Sequence, residues 1–94
     1  MAAKFQAGDR IVVSPDYHWA KNVTGTIGAP PASVVALSGP WQNNLTRNVK
    51  ARLGMKVFYW VWFDEPQVDT EGDGPYSGGE IAEDVLTLVA RTAK

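Results

Sequence analysis

A single histidine, His18, and the absence of cysteine leave few ways to build a catalytic or metal centre in this chain. A Ser-His-Asp relay or a histidine-based metal site would need His18 in one fixed role. It lies in Asp16-Tyr17-His18-Trp19, which reads as a loop where a surface histidine is expected. The glycine patterns of a nucleophile elbow or a phosphate loop do not occur, nor do paired zinc ligands. Carboxylates gather between Asp64 and Asp84, but no apolar residues surround them to raise a pKa for acid–base work. One stretch has metal-like spacing: Asp69-Thr70-Glu71-Gly72-Asp73-Gly74, with Glu80 further on, is one substitution away from the calcium pattern D-x-[DN]-x-[DN]-G-x5-E. Glu71 is longer than the Asp or Asn usual there, and the flanks read as strands, so a solvated loop without tight calcium binding is expected. No catalytic, cofactor-binding or metal-ligating residues are assigned, and the chain is read as a non-enzyme.

The chemistry that remains is that of contact surfaces. Lys56-Val57-Phe58-Tyr59-Trp60-Val61-Trp62-Phe63 is rich in aromatic and β-branched residues and reads as a strand, ended by Asp64-Glu65-Pro66. Side chains alternate along a strand. If Val57, Tyr59, Val61 and Phe63 point into a core, Phe58, Trp60 and Trp62 point away from it. Either Trp41 and Leu45 cover those outer aromatics, or they form an exposed patch that a partner covers. Arg47, Lys50, Arg52 and Lys56 form a run with no acid among them. Trp60, Trp62, Arg47, Lys50 and Arg52 are therefore the candidate partner-binding residues, the aromatics as anchors and the cations to speed encounter.

Several short elements must position these groups. Arg10-Ile11-Val12-Val13-Ser14, after a Gly8-Asp9 turn, reads as a first strand, and Val23–Gly28 as a second, with Gly25 marking a bulge or a close backbone approach. Ser33–Leu37 reads as a third, 56–63 as a fourth, and the stretch near Leu86–Val89 as the last, after Glu80-Ile81-Ala82 and a turn at Glu83-Asp84. Trp41, Leu45, Val49 and Leu53 recur every four residues between Pro40 and Gly54, so 40–54 is read as an inserted loop or short helix. The expectation is one mainly β domain over residues 1–94, a small SH3-like barrel of about five antiparallel strands. Composition agrees: 45% of residues are hydrophobic, 20% are charged and the net charge is −1, giving no global case for nucleic acid or an anionic membrane. No apolar run suggests a signal peptide or a membrane span, so a cytoplasmic location is expected.

Gly8-Asp9-Arg10-Ile11-Val12-Val13, Pro15-Asp16-Tyr17-His18-Trp19 and Val23-Thr24-Gly25-Thr26-Ile27 resemble the opening of photosystem I reaction-centre subunit IV. Tyr59-Trp60-Val61-Trp62-Phe63-Asp64, Pro75-Tyr76-Ser77-Gly78 and Ile81-Ala82-Glu83-Asp84-Val85-Leu86 resemble its later segments. The nitrile hydratase β subunit and its accessory relatives share the same outline. The first resemblance implies a non-catalytic subunit, peripheral on the cytoplasmic side of a photosynthetic membrane, that helps dock an acidic ferredoxin-type partner. Trp62 stands where that family places a docking arginine.

The functional expectation is a protein-docking or accessory subunit, with photosynthetic electron transfer as its narrower form. One alternative is a KOW-type nucleic-acid module, with Arg47, Lys50, Arg52 and Lys56 on phosphates and Trp60 and Trp62 stacking on bases. Another is a nitrile hydratase β-like accessory protein.

Overall fold

A computed structural model describes residues 4–38, 40–52 and 54–91. The chain runs β1 (Arg10–Val13), β2 (Thr24–Gly28), α1 (Ala32–Ser38), β3 (Thr46–Ala51), β4 (Gly54–Gln67), β5 (Tyr76–Ala82), a 3-10 turn (Glu83–Val85) and β6 (Leu86–Ala90). All six strands join one antiparallel sheet in the order β3-β4-β2-β1-β6, with β5 also paired to β4. The mainly β antiparallel architecture is as expected. Among the described residues the strands number six, and the hydrogen-bonded path ends at β3 and β6 without closing into a barrel.

β4 organises the sheet. Its first half pairs with β3, from Gly54↔Ala51 to Tyr59↔Thr46, and its second half with β2, from Trp60↔Gly28 to Phe63↔Gly25. β5 lies beside the same strand from Phe58↔Ala82 to Trp62↔Gly78. Gly25 permits the β2 contact, because a Cβ there would stand 2.7 Å from the Trp62 carbonyl oxygen. The close approach expected of that glycine is thus real.

One face of the sheet builds the core. Ile11 and Val13 of β1, Ile27 of β2, Tyr59, Val61 and Phe63 of β4, Ile81 of β5 and Leu86 of β6 are buried together with Phe5 and Ala20. Val57 is partly buried against them. The alternation in β4 is therefore the one its sequence predicts, and burial of these branched and aromatic side chains is the main favourable term in forming the sheet.

Two elements differ from the sequence reading. Residues 33–37, read as a strand, lie in α1. Pro30 and Pro31 have no N–H to give a ladder, whereas ahead of a helix they leave nothing unsatisfied, and the Pro31 carbonyl accepts the amides of Val34 and Val35 at 3.0 and 3.1 Å. The 40–54 stretch, read as a loop or helix, instead makes a turn followed by β3. Asn43 and Asn44 both take left-handed backbone angles, φ 55° and 54°, which no right-handed helix accommodates. They turn the chain so that the Leu45 amide reaches the Gln42 carbonyl at 2.9 Å and the Gln42 amide the Thr46 carbonyl at 2.7 Å. Leu53, the last of the four apolar positions, lies outside the described residues.

Both ends of the described chain are tied down. The Tyr59 hydroxyl accepts the amides of Lys4 and Phe5 at 2.9 and 3.1 Å and donates to Glu83 at 2.7 Å. Arg91 reaches back to the buried carboxylate of Asp9 at 3.2 Å. Among the described residues no helix is long and apolar enough to cross a membrane.

Candidate functional site

The face of the sheet opposite the core carries the candidate aromatics. Trp60 and Trp62 sit there in a T-shaped pair, ring centroids 5.7 Å apart at 72°. Both are seated on glycines of neighbouring strands. A Cβ on Gly28 would lie 2.7 Å from Cδ1 of Trp62, and one on Gly78 2.7 Å from Nε1 of Trp60. Their exposures then diverge. Trp60 is buried, at 9%, and its Nε1 makes no hydrogen bond among the described residues, whereas Trp62 is 39% exposed. The Trp62 indole N–H donates to the Ala29 carbonyl at 3.1 Å, which fixes the ring while leaving part of it in solvent.

Of the two residues foreseen as a cover for these rings, Leu45 is placed elsewhere. Leu45 packs against the core on the other side of the sheet. Trp41 is buried but is not part of that core cluster.

Of the three cations assigned to this surface, only Arg47 shares the face. It pairs with Phe58 in the β3–β4 register, and its guanidinium grips Glu80 of β5 through Nε and through Nη2 at 2.8 Å. The Glu80 hydrogen bonds hold the Arg47 pKa above its ordinary value. Arg47 is thus neutralised in place and is not a cation available to a partner. Glu80, the twelfth position of the calcium-like pattern, is committed to this bond, while Oδ1 of Asp69 accepts the amides of Glu71 and Asp73, each at 2.9 Å. No group of three metal-ligating side chains is placed to hold an ion among the described residues.

Lys50 pairs with Met55, three residues along β3 from Arg47, so alternation turns it to the opposite face. Arg52 sits at the tip of the β3–β4 hairpin, where it lines an open cleft of about 450 Å3 with Met55, Lys56 and the 3-10 residues Glu83 and Asp84. Lys56 and Asp84 are 3.7 Å apart across it, both exposed. The five candidates therefore separate into an aromatic face that holds Trp60, Trp62 and Arg47 and a basic hairpin tip that holds Lys50 and Arg52.

A second ion pair on the aromatic face was not foreseen. Arg10 donates to both oxygens of Asp64, at 2.7 and 2.6 Å, and to Thr26 at 3.0 Å, while Thr24 donates to Asp64 at 2.6 Å. Hydrogen bonds from Arg10 and then Thr24 hold the Asp64 carboxyl far below the usual carboxylate range. Thr26 pairs with Trp62 across β2 and β4, so this network lies beside the exposed indole. No spacing in the sequence links residues 10 and 64; only the strand order brings them together.

No protein-family model matches the chain, and neither a curated protein nor a solved structure matches it.

Proposed function

We propose that this protein is a non-catalytic docking domain and that Trp62 is the anchor of its contact surface. The observation that carries the reading is the state of that one side chain. It is a large aromatic, held by a hydrogen bond, 39% exposed, with the Arg10–Asp64 pair beside it and the Arg47–Glu80 pair beside its neighbour Trp60. A rigid aromatic whose neighbours are already paired can be covered at little entropic cost, and that is the pattern of an interface hot spot with a polar rim.

The charges on this face are paired, so it suits a partner that is neither strongly acidic nor strongly basic. The narrower reading, a subunit of a photosynthetic electron-transfer complex, rests on the sequence resemblance. Its acidic ferredoxin-type partner would be met at the hairpin tip by Lys50 and Arg52, since Lys56 already stands 3.7 Å from Asp84. Nucleic-acid binding is less well supported, because Arg47 is held by Glu80 and Lys50 faces away from the tryptophans. The nitrile hydratase-like accessory reading has the resemblance alone behind it.

Co-purification from the source cells, with wild type and Trp62→Ala compared, tests the docking role. Loss of a stoichiometric partner from a folded Trp62→Ala variant supports it; retention of that partner rejects it. Lys50→Glu with Arg52→Glu tests the ferredoxin-type reading, because only an acidic partner at the tip would be lost with that pair.

A further inference from the structure

A second concavity lies away from the aromatic face. Where the loop before β2 meets the loop after β4, His18, Trp19, Asp69, Thr70, Glu71 and Tyr76 line an open cleft of about 370 Å3. Its walls are set by the fold. Trp19 stands edge-on to Phe63 of the core, ring centroids 5.4 Å apart at 85°. Tyr76 stands at 86° to Trp19, 6.2 Å away, so the two rings form a corner.

The rest of the lining is His18, Thr70 and two carboxylates, Asp69 and Glu71. Asp69 uses Oδ1 to cap two amides of its own loop, and its other oxygen has no hydrogen bond among the described residues. Partial burial first, and the charges of Asp69 and Asp73 next, push the Tyr76 phenol above its ordinary value. The sequence places no lysine or arginine between Asp64 and Asp84 to neutralise these carboxylates. A calcium ion would need roughly 6–8 oxygen ligands, which this cleft does not gather. Two ring walls beside the Asp69 and Glu71 carboxylates instead suit a cation that sheds water readily, because the attraction between a cation and a ring face strengthens as the cation is desolvated. Alkylated ammonium groups have that property. The cleft is also near the small end of ligand-pocket volumes, about 300–1,000 Å3.

We propose that this cleft binds an alkylated ammonium group, with Trp19 and Tyr76 packed on its methyl groups and the Asp69 and Glu71 carboxylates supplying the charge. The group could arrive on a free quaternary ammonium compound or on a methylated lysine side chain. The chemistry is the same and the test separates the two.

The full chain is titrated with choline and with its uncharged carbon isostere, 3,3-dimethylbutan-1-ol, and followed by two-dimensional NMR. Saturable choline shifts centred on the Trp19 indole and the Tyr76 amide, with the isostere weaker by about tenfold, are expected. Tyr76→Ala removes one wall at an exposed position, and Asp69→Asn keeps the loop acceptor while removing the charge; each should weaken choline by about threefold to tenfold. A peptide carrying trimethyllysine, compared with the unmodified peptide, identifies a protein side chain as the source if it binds more tightly than choline, and a free small cation if it does not. The proposal is overturned if neither choline nor the trimethyllysine peptide binds saturably, if the isostere binds as well as choline, or if both variants bind choline as wild type does.

Discussion

The Tyr59 hydroxyl joins three segments distant in sequence, taking amides from residues 4 and 5 and donating to Glu83. Burial, and then the bond to Glu83, push its pKa up to about 12. Because the folded value lies above the unfolded one of about 10, the stabilisation is fully present below pH 10 and is lost as pH rises through 12. Chemical denaturation between pH 8 and 12 should show stability falling across the upper half of that range. Tyr59→Phe should flatten the fall and be less stable than wild type at pH 8; an unchanged pH profile would show that Tyr59 does not govern it. The two outer tryptophans differ at the same scale. Trp60→Ala should cost about 3 kcal/mol or more, as for other buried large-to-small changes, and Trp62→Ala less than half as much. Equal costs in urea titrations would mean that Trp62 is structural and not a contact residue.

β4 was legible because its two faces carry different tasks: the side chains at 59, 61 and 63 are all buried, and the sequence alternation at those positions has no rival reading. β3 was not legible, for a geometric reason. A spacing of four returns to the same face of a helix, but it also returns to the same face of a strand, since four is a multiple of two. The spacing alone therefore fits both, and the decision lay with Asn43 and Asn44, whose left-handed turn leaves Leu45 ahead of β3 and has no hydrophobic signature. α1 was misread because Val34 and Val35 favour strands intrinsically, while the two prolines before them bar the ladder. The seating of indoles on glycines belongs to this scale as well. Gly78→Ala would place a methyl 2.7 Å from Trp60 Nε1 and 2.8 Å from the Val61 carbonyl oxygen. Overpacking of that kind should destabilise the protein by about 1–3 kcal/mol, measurable as a lower midpoint in thermal melts, and an unchanged midpoint would mean that β5 can shift to relieve it.

In the whole molecule, the segment before β1 acts as part of the core. Phe5 is 1% exposed and meets Tyr59 edge to face at 5.3 Å, although it precedes the first strand. Phe5→Ala should cost about 3–5 kcal/mol, comparable to a change in the middle of the core, and a loss under about 1 kcal/mol in urea would show the segment to be dispensable. The sequence did not mark Phe5 because a lone aromatic outside a periodic run carries no pattern. The candidate site was half legible for a related reason. Strand alternation foretells which residues share a face with Trp62, but not that Glu80 would hold Arg47, which depends on register between strands, and the turning away of Lys50 could be read only once 46–51 was known to be a strand.

β4 also has neighbours along both edges, β3 and β2 on one and β5 on the other. A strand bonded on both sides cannot fray from an edge, and its amides open to solvent only when the sheet comes apart. In deuterated water the amides of Trp60, Val61 and Trp62 should therefore be the last to exchange, at rates set by global unfolding, while those of β3 and β6, each with a single neighbour, exchange earlier. Trp62, the proposed contact, would then stand on the slowest-opening backbone in the molecule, and β4 would stay rigid while the loops around it move.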